Sequence, residues 1–163
     1  MEKLKNRKNT RLKGADYNRN QAVFLTICTK ERQCLLSKIV GTGVPDGPQI
    51  ELTKYGRIAD KYIIQLNDFY EDLSVESYVI MPNHIHAIIV LNGSTTGLFV
   101  VIGQYKSAVT RKIRKIKSNM EVWQTSFHDH VIRSEEDYQR IWAYIDTNPM
   151  RWRDDCFYVE VSA

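Results

Sequence analysis

Two apolar runs, Leu73 to Met81 and His84 to Leu91, are separated only by Pro82-Asn83. Each run has the length of a strand, and the proline-asparagine pair is a turn that also keeps Pro82 out of a central ladder. The runs are therefore expected to be neighbours in one sheet. In the second run Ile88 and Val90 share a face with His84 and His86, while Ile85, Ala87, Ile89 and Leu91 take the other. A strand that is apolar on both sides needs a covering layer above and below. A chain of 163 residues, 43% of them hydrophobic, can supply both layers without a disulfide or a structural metal. Disordered and disulfide-stapled classes are thereby excluded.

The rest of the chain orders itself around this pair. Ala22 to Thr29 is a β-branched and aromatic run that predicts a first strand. From Thr53, a candidate N-cap, Tyr55, Ile58, Ala59, Tyr62, Ile63, Leu66 and Phe69 recur at steps of three and four, the period of a helix. Leu98, Val101, Ile102, Tyr105, Val109, Ile113 and Ile116 predict a second helix ending near Lys117. Glu121 to Ile132 suits a fourth strand, and Ser134 with three acids behind it opens a third helix, closed by Pro149. Gly41 to Pro48 reads as a surface loop or short hairpin. The expected fold is α+β: a ferredoxin-like split βαβ sandwich with an antiparallel sheet and an additional C-terminal helix. Residues 1–20 read as a basic tail, 21–155 as the globular domain and 156–163 as a second tail.

No apolar stretch approaches the roughly 18 residues of a membrane span, and the first residues carry no apolar signal region, so a cytoplasmic protein without membrane contact is expected. Cys28, Cys34 and Cys156 are odd in number and lack metal-type spacing. The net charge of +4 says little, but its distribution says more. Lys3, Lys5, Arg7, Lys8, Arg11, Lys13 and Arg19 crowd one end, and Lys106, Arg111, Lys112, Arg114, Lys115 and Lys117 crowd the second helix. Such blocks are either phosphate-backbone contacts or solvated faces.

Three groups of side chains could carry chemistry. His84 and His86, two residues apart on a strand, project side by side; they form either a metal pair or a pair of hydrogen-bonded structural histidines. His128-Asp129-His130 is a second, less regular pair, in which His130 has hydrogen bonding as its other use. On the third helix the stripe Tyr138, Ile141, Trp142, Ile145 marks the buried side. Tyr144 falls about 110° from its centre and Asn148 about 70°, which puts phenol and amide on one flank a turn apart. They could deliver a nucleophile and a ligand to one point, or be a surface tyrosine and a helix stop. Tyr105, by contrast, sits at the centre of its stripe and reads as core.

Met81-Pro-Asn-His84-Ile-His86, Tyr105-Lys-Ser-Ala-Val-Thr110, Trp123-Gln124, Phe127, His130-Val-Ile-Arg133 and Ala143-Tyr144-Ile-Asp-Thr-Asn148-Pro149 together resemble, in order and spacing, the single-tyrosine HUH transposases, and within them the REP-associated tyrosine transposases. The resemblance runs from about Ala22 to Trp152. It implies a single-stranded DNA endonuclease and strand transferase working near hairpin or palindromic DNA through a 5′-phosphotyrosine. His84, His86 and Asn148 would be ligands to Mg²⁺ or Mn²⁺, and Tyr144, on the extra C-terminal helix, would be the nucleophile. Lys106, Arg111, Lys112, Arg114, Lys115, His130 and Arg133 are the expected DNA contacts. Single-stranded or hairpin DNA is the expected partner, with both a homodimer and a monomer open. The other reading is a hairpin-binding protein derived from a transposase that no longer cleaves. His128, Asp129 and the loop from Gly41 to Pro48 depart from the family pattern and bear on substrate choice.

Overall fold

The computed structural model describes residues 20–160, apart from 42, 44 and 94. The basic block at the N-terminus and the last three residues lie outside the described residues. The chain runs β1 (Gln21–Cys28), β2 (Ser37–Val40), β3 (Gln49–Leu52), α1 (Lys54–Ile64), α2 (Leu66–Phe69), β4 (Leu73–Ile80), β5 (His84–Leu91), α3 (Leu98–Arg114), β6 (His128–Ile132) and α4 (Glu135–Thr147), with 3₁₀ turns at Lys30–Arg32 and Asn148–Asp154.

The main sheet is antiparallel in the order β4-β5-β1-β6. The connection from β1 through α1 to β4 skips over β5, and that from β5 through α3 to β6 skips over β1. The fold is the α+β split βαβ arrangement. β4 turns into β5 through Pro82-Asn83, closed by Met81 N–H donating to the His84 carbonyl at 2.9 Å. Both expected N-caps form: Thr53 Oγ1 accepts from Gly56 N–H and Ser134 Oγ from Asp137 N–H.

Strand alternation sorts the core into two layers. Val23, Leu25, Ile27, Ile85, Ala87, Ile89 and Leu91 face α1 and α3, where Ala59, Ile63, Val101, Ile102, Tyr105 and Val109 complete the packing. Phe24, Val79, Met81 and Ile88 face the other way, against Ile141, Ile145 and Trp142 of α4 and Ile39 and Ile50 of the small β2-β3 hairpin. The loop from Gly41 to Pro48 is the connection of that hairpin.

Three expectations need correction. The fourth strand begins at His128, not Glu121, because residues 121–127 cross the end of the sheet instead of joining it. Trp123 makes an isolated bridge to Thr29, which itself lies just beyond β1, and Val122 and Phe127 bury their apolar mass in the core from this crossing. α3 ends at Arg114, so Ile116 leaves the stripe and is half exposed. α4 does close ahead of Pro149, but the residue before the proline is not pushed out of the α region: Asn148 keeps helical angles, and the chain tightens into the 3₁₀ turn Asn148–Asp154, for which proline near the start is well suited.

Candidate active site

The register of β1 against β5 pairs Cys28 with His84, Thr26 with His86 and Phe24 with Ile88. Residues directly opposite point to the same side, so Thr26 and Phe24 stand beside the two imidazoles on the face covered by α4. His84 and His86 are both buried, with ring centroids 4.5 Å apart. Each is anchored through Nδ1, His86 to Thr26 Oγ1 at 2.9 Å and His84 to Asn83 Oδ1 at 2.9 Å. That leaves both Nε2 atoms to face the space under α4. Burial pushes His84 down to about 3, and burial together with the neighbouring His84 does the same for His86. Both imidazoles are therefore neutral near pH 7, so each ring has one nitrogen lone pair to offer.

α4 supplies the opposite wall. Its amphipathic period buries Ile141 and Ile145 and turns Tyr144 to the flank, where its Oη lies 3.4 Å from His86 Nε2 and its ring packs 5.2 Å from the His86 ring. Burial, with the charges of Asp155 and Cys156 behind it, raises the Tyr144 hydroxyl above the ordinary phenol range, while a bond from Asn148 pulls the other way. Tyr144 is thus a phenol, not a phenolate, at neutral pH. One turn on, Asn148 is buried and donates Nδ2–H to Asp155 Oδ2 at 3.1 Å. Its Oδ1 and His84 Nε2 are buried without a hydrogen-bond partner among the described residues. Orphaned acceptors of this kind are costly, and two of them side by side with a carboxylate form a donor set that suits a divalent cation.

Asp155 was not singled out in the sequence. Its side chain is 1% exposed and its Oδ2 lies 3.8 Å from His84 Nε2. Ligand atoms of His84, His86 and Asp155 all fall within 4.8 Å of one another, and no other such group occurs among the described residues. The second histidine pair lies elsewhere. His130 and His128 pair with Phe24 and Thr26 from the edge strand β6, which puts His128 two strand spacings, about 10 Å, from His86, and His130 farther still from both β5 histidines. His130 Nε2 meets Asp137 Oδ2 at 2.8 Å, and His128 is exposed.

A cleft of about 640 Å³ opens over Tyr144, His86 and Thr26, and His130, Arg140 and Arg151 stand along it. Arg140 and Arg151 were missed in the sequence because each is one of many scattered cations; only the helical period placing Arg140 one turn before Tyr144 hinted at it. The expected DNA contacts divide. Arg111, Lys112, Arg114 and Lys115 are exposed on α3, across the sheet from the histidine pair, and Arg114 Nε also donates to the Met120 carbonyl. Lys106 Nζ is turned into the 124–126 loop, donating to the Gln124 carbonyl at 2.5 Å, and burial lowers its pKa. Arg133 is exposed just beyond β6, at the end of the sheet away from His84. Tyr105 is buried and donates to the Ala59 carbonyl, far from the cleft.

Among the described residues no helix is long and apolar enough to cross a membrane. No family model matches the sequence. A protein of Haemophilus influenzae described only as uncharacterized is 28% identical over 178 residues, covering 96% of each chain. Among solved structures, the chain superimposes on a REP-associated tyrosine transposase bound to a REP hairpin with a TM-score of 0.59 at 20% identity, over 86% of this chain and 73% of that one. The two share a fold.

Proposed function

We propose that this chain is a single-tyrosine DNA strand transferase of the HUH type, in which His84, His86 and Asn148 hold Mg²⁺ or Mn²⁺ and Tyr144 attacks single-stranded DNA beside a hairpin. One observation carries the reading. The Tyr144 hydroxyl stands 3.4 Å from His86 Nε2, next to two buried polar atoms, His84 Nε2 and Asn148 Oδ1, that lack a hydrogen-bond partner among the described residues. The motif order of the sequence and the fold shared with a hairpin-bound transposase support the same substrate class.

A bound divalent ion supplies polarisation of the scissile phosphate. The protein's own part is positional. Thr26 and Asn83 hold the imidazoles by Nδ1, so that Nε2 stays available, and β5 fixes their separation. α4 brings Tyr144 Oη to the same point, where attack on phosphorus forms a Tyr–O–P bond and breaks the P–O3′ bond. The phenol proton is balanced by the one that the released 3′-hydroxyl takes up. One phosphodiester replaces another, so rejoining needs no nucleotide triphosphate. Arg111, Lys112, Arg114, Lys115, His130 and Arg133 are proposed to contact the DNA, and Lys106 to act on DNA binding indirectly, by shaping the 124–126 loop. The enzyme would act in the cytoplasm.

The test is incubation of the full chain with Mg²⁺ or Mn²⁺ and end-labelled single-stranded DNA carrying the palindromes beside its own gene. A denaturing gel should show a protein-DNA adduct that mass spectrometry maps to Tyr144. Cleavage without an adduct would mean water is the nucleophile, and tight hairpin binding without cleavage would mean the chemistry is lost; either result overturns the proposal.

A further inference from the structure

Resting on that metal-site reading, we propose that Asp155 is a fourth ligand of the divalent ion, carried to it by a C-terminal strap that Asn83 clamps over His84. The three ligands named above are two imidazoles and an amide, all neutral. A hard divalent ion favours oxygen donors and at least one anionic group. Asp155 brings that charge to the same place. Its Oδ2 lies 3.1 Å from Asn148 Nδ2 and 3.8 Å from His84 Nε2, while its Oδ1 accepts from Phe157 N–H at 2.8 Å. A separation of 3.8 Å is too long for a hydrogen bond, yet two ligands each about 2.1 Å from one ion stand about 3 to 4.2 Å apart. The two hydrogen bonds that hold this buried carboxylate come from neutral donors, an amide and a backbone N–H, and the Arg32 guanidinium bonds the Cys156 carbonyl instead, which leaves the carboxylate suited to a cation.

The strap has its own fastening. Asn83 donates Nδ2–H to the Phe157 carbonyl at 2.7 Å and to the Arg32 carbonyl at 3.2 Å. With both amide hydrogens so committed, its Oδ1 can only accept, which requires a proton on His84 Nδ1 and frees Nε2. Arg32 in turn donates to the Cys156 carbonyl and lies 5.4 Å over the Phe157 ring, which packs 4.6 Å from the His84 ring. One asparagine thus sets the form of a histidine ligand and holds the segment bearing the carboxylate. If Asp155 served only the turn at Phe157, an asparagine in its place would do as well, since its side-chain oxygen can accept the same bond.

The experiment is Mn²⁺ titration of the full chain by calorimetry, without DNA. Asp155→Asn, folded by circular dichroism, should bind Mn²⁺ at least about tenfold more weakly. In the unaltered chain, Mn²⁺ should slow hydrogen exchange across residues 155–158. Wild-type or tighter affinity in folded Asp155→Asn overturns the proposal. Should that variant not fold, unchanged exchange across the strap overturns it instead. His84→Ala separates the two layers of inference: if it also binds Mn²⁺ normally, the metal site itself is wrong, and if it alone loses Mn²⁺, only the role of Asp155 is.

Discussion

Tyr105 and Tyr144 are chemically identical groups on helices at opposite faces of the sheet, and their environments make them opposites. Tyr105 is 2% exposed, and its hydroxyl is spent on the Ala59 carbonyl; burial raises it far above the ordinary phenol range. Tyr144 is 36% exposed and faces a cleft. Tyr105→Phe should cost about 0.5–1.5 kcal/mol for one lost hydrogen bond, with strand transfer intact. Tyr144→Phe should shift the urea midpoint no more than that, while the covalent adduct disappears. Denaturation curves and adduct gels on both variants check the pair. This contrast was legible in the sequence because helical period alone separates a stripe from its flank. Asp155 was not legible: it is the extended residue just past the 3₁₀ turn that Pro149 opens, in a stretch without period. Thr26 was equally hidden, since its use depends on pairing with a residue 60 positions away; its one signal is a hydroxyl in an otherwise apolar strand.

The buried histidines also carry a pH dependence whose sign can be stated. Both are pushed down to about 3 by burial, against about 6.5 in an unfolded chain. Between these values the unfolded chain binds more protons than the folded one, so stability rises with pH across this window. As pH falls below about 6.5, unfolding free energy should drop by up to about 1.4 kcal/mol per pH unit for each imidazole. Urea unfolding in metal-free buffer from pH 7 to pH 4.5 reads this slope, and His84→Gln should make it shallower. A slope unchanged by the substitution would mean that His84 is protonated in the folded chain.

At the scale of elements, alternation and capping carried most of the information. The β4-β5 pair, the two capped helices and the faces of β5 follow from period 2, period 3.6 and side-chain capping, all local properties. What was not local was misread: residues 121–127 have strand composition, yet only Trp123 and Gln124 touch the end of β1, at Thr29 and Cys28, and regular pairing with β1 begins at His128. The β2-β3 hairpin, short and half exposed, showed only its turn. Its attachment depends on Gly56, in the first turn of α1, where an added Cβ would lie 1.9 Å from the Leu36 carbonyl oxygen. That oxygen accepts from Thr53 N–H, and Leu36 N–H donates to the Pro82 carbonyl beside the histidine turn. Gly56→Ala must push α1 and the 35–37 segment apart. Destabilisation of about 1–3 kcal/mol or more is expected, read as a lower urea midpoint. An unchanged midpoint would show that this junction yields without cost.

For the molecule as a whole, the sheet divides the reagents from the charge. The histidines, Tyr144 and the cleft cations Arg140 and Arg151 lie on one face, and the exposed cations of α3 on the other. The two meet round one sheet end: Cys28 pairs with His84, Gln124 N–H donates to the Cys28 carbonyl, and Lys106 holds the Gln124 carbonyl from α3. A nucleic acid that enters the cleft can continue past this end onto Arg111, Lys112, Arg114 and Lys115. A hairpin with a single-stranded flank can engage both faces, whereas a blunt duplex presents no unpaired strand to the cleft. Binding of the flanked hairpin should therefore weaken steeply with salt, and Lys112→Gln with Lys115→Gln should flatten the slope of log K against log salt by about 1.4–1.8, at about 0.7–0.9 per phosphate released. Adduct formation at saturating DNA should survive that change, because neither residue reaches Tyr144. Arg140→Gln with Arg151→Gln should do the reverse, slowing adduct formation at saturation while leaving most of the hairpin affinity. If the α3 pair leaves the slope untouched, that helix presents only a solvated face and the hairpin must be held from the cleft side. Equal affinity for a blunt duplex would contradict the two-face path altogether.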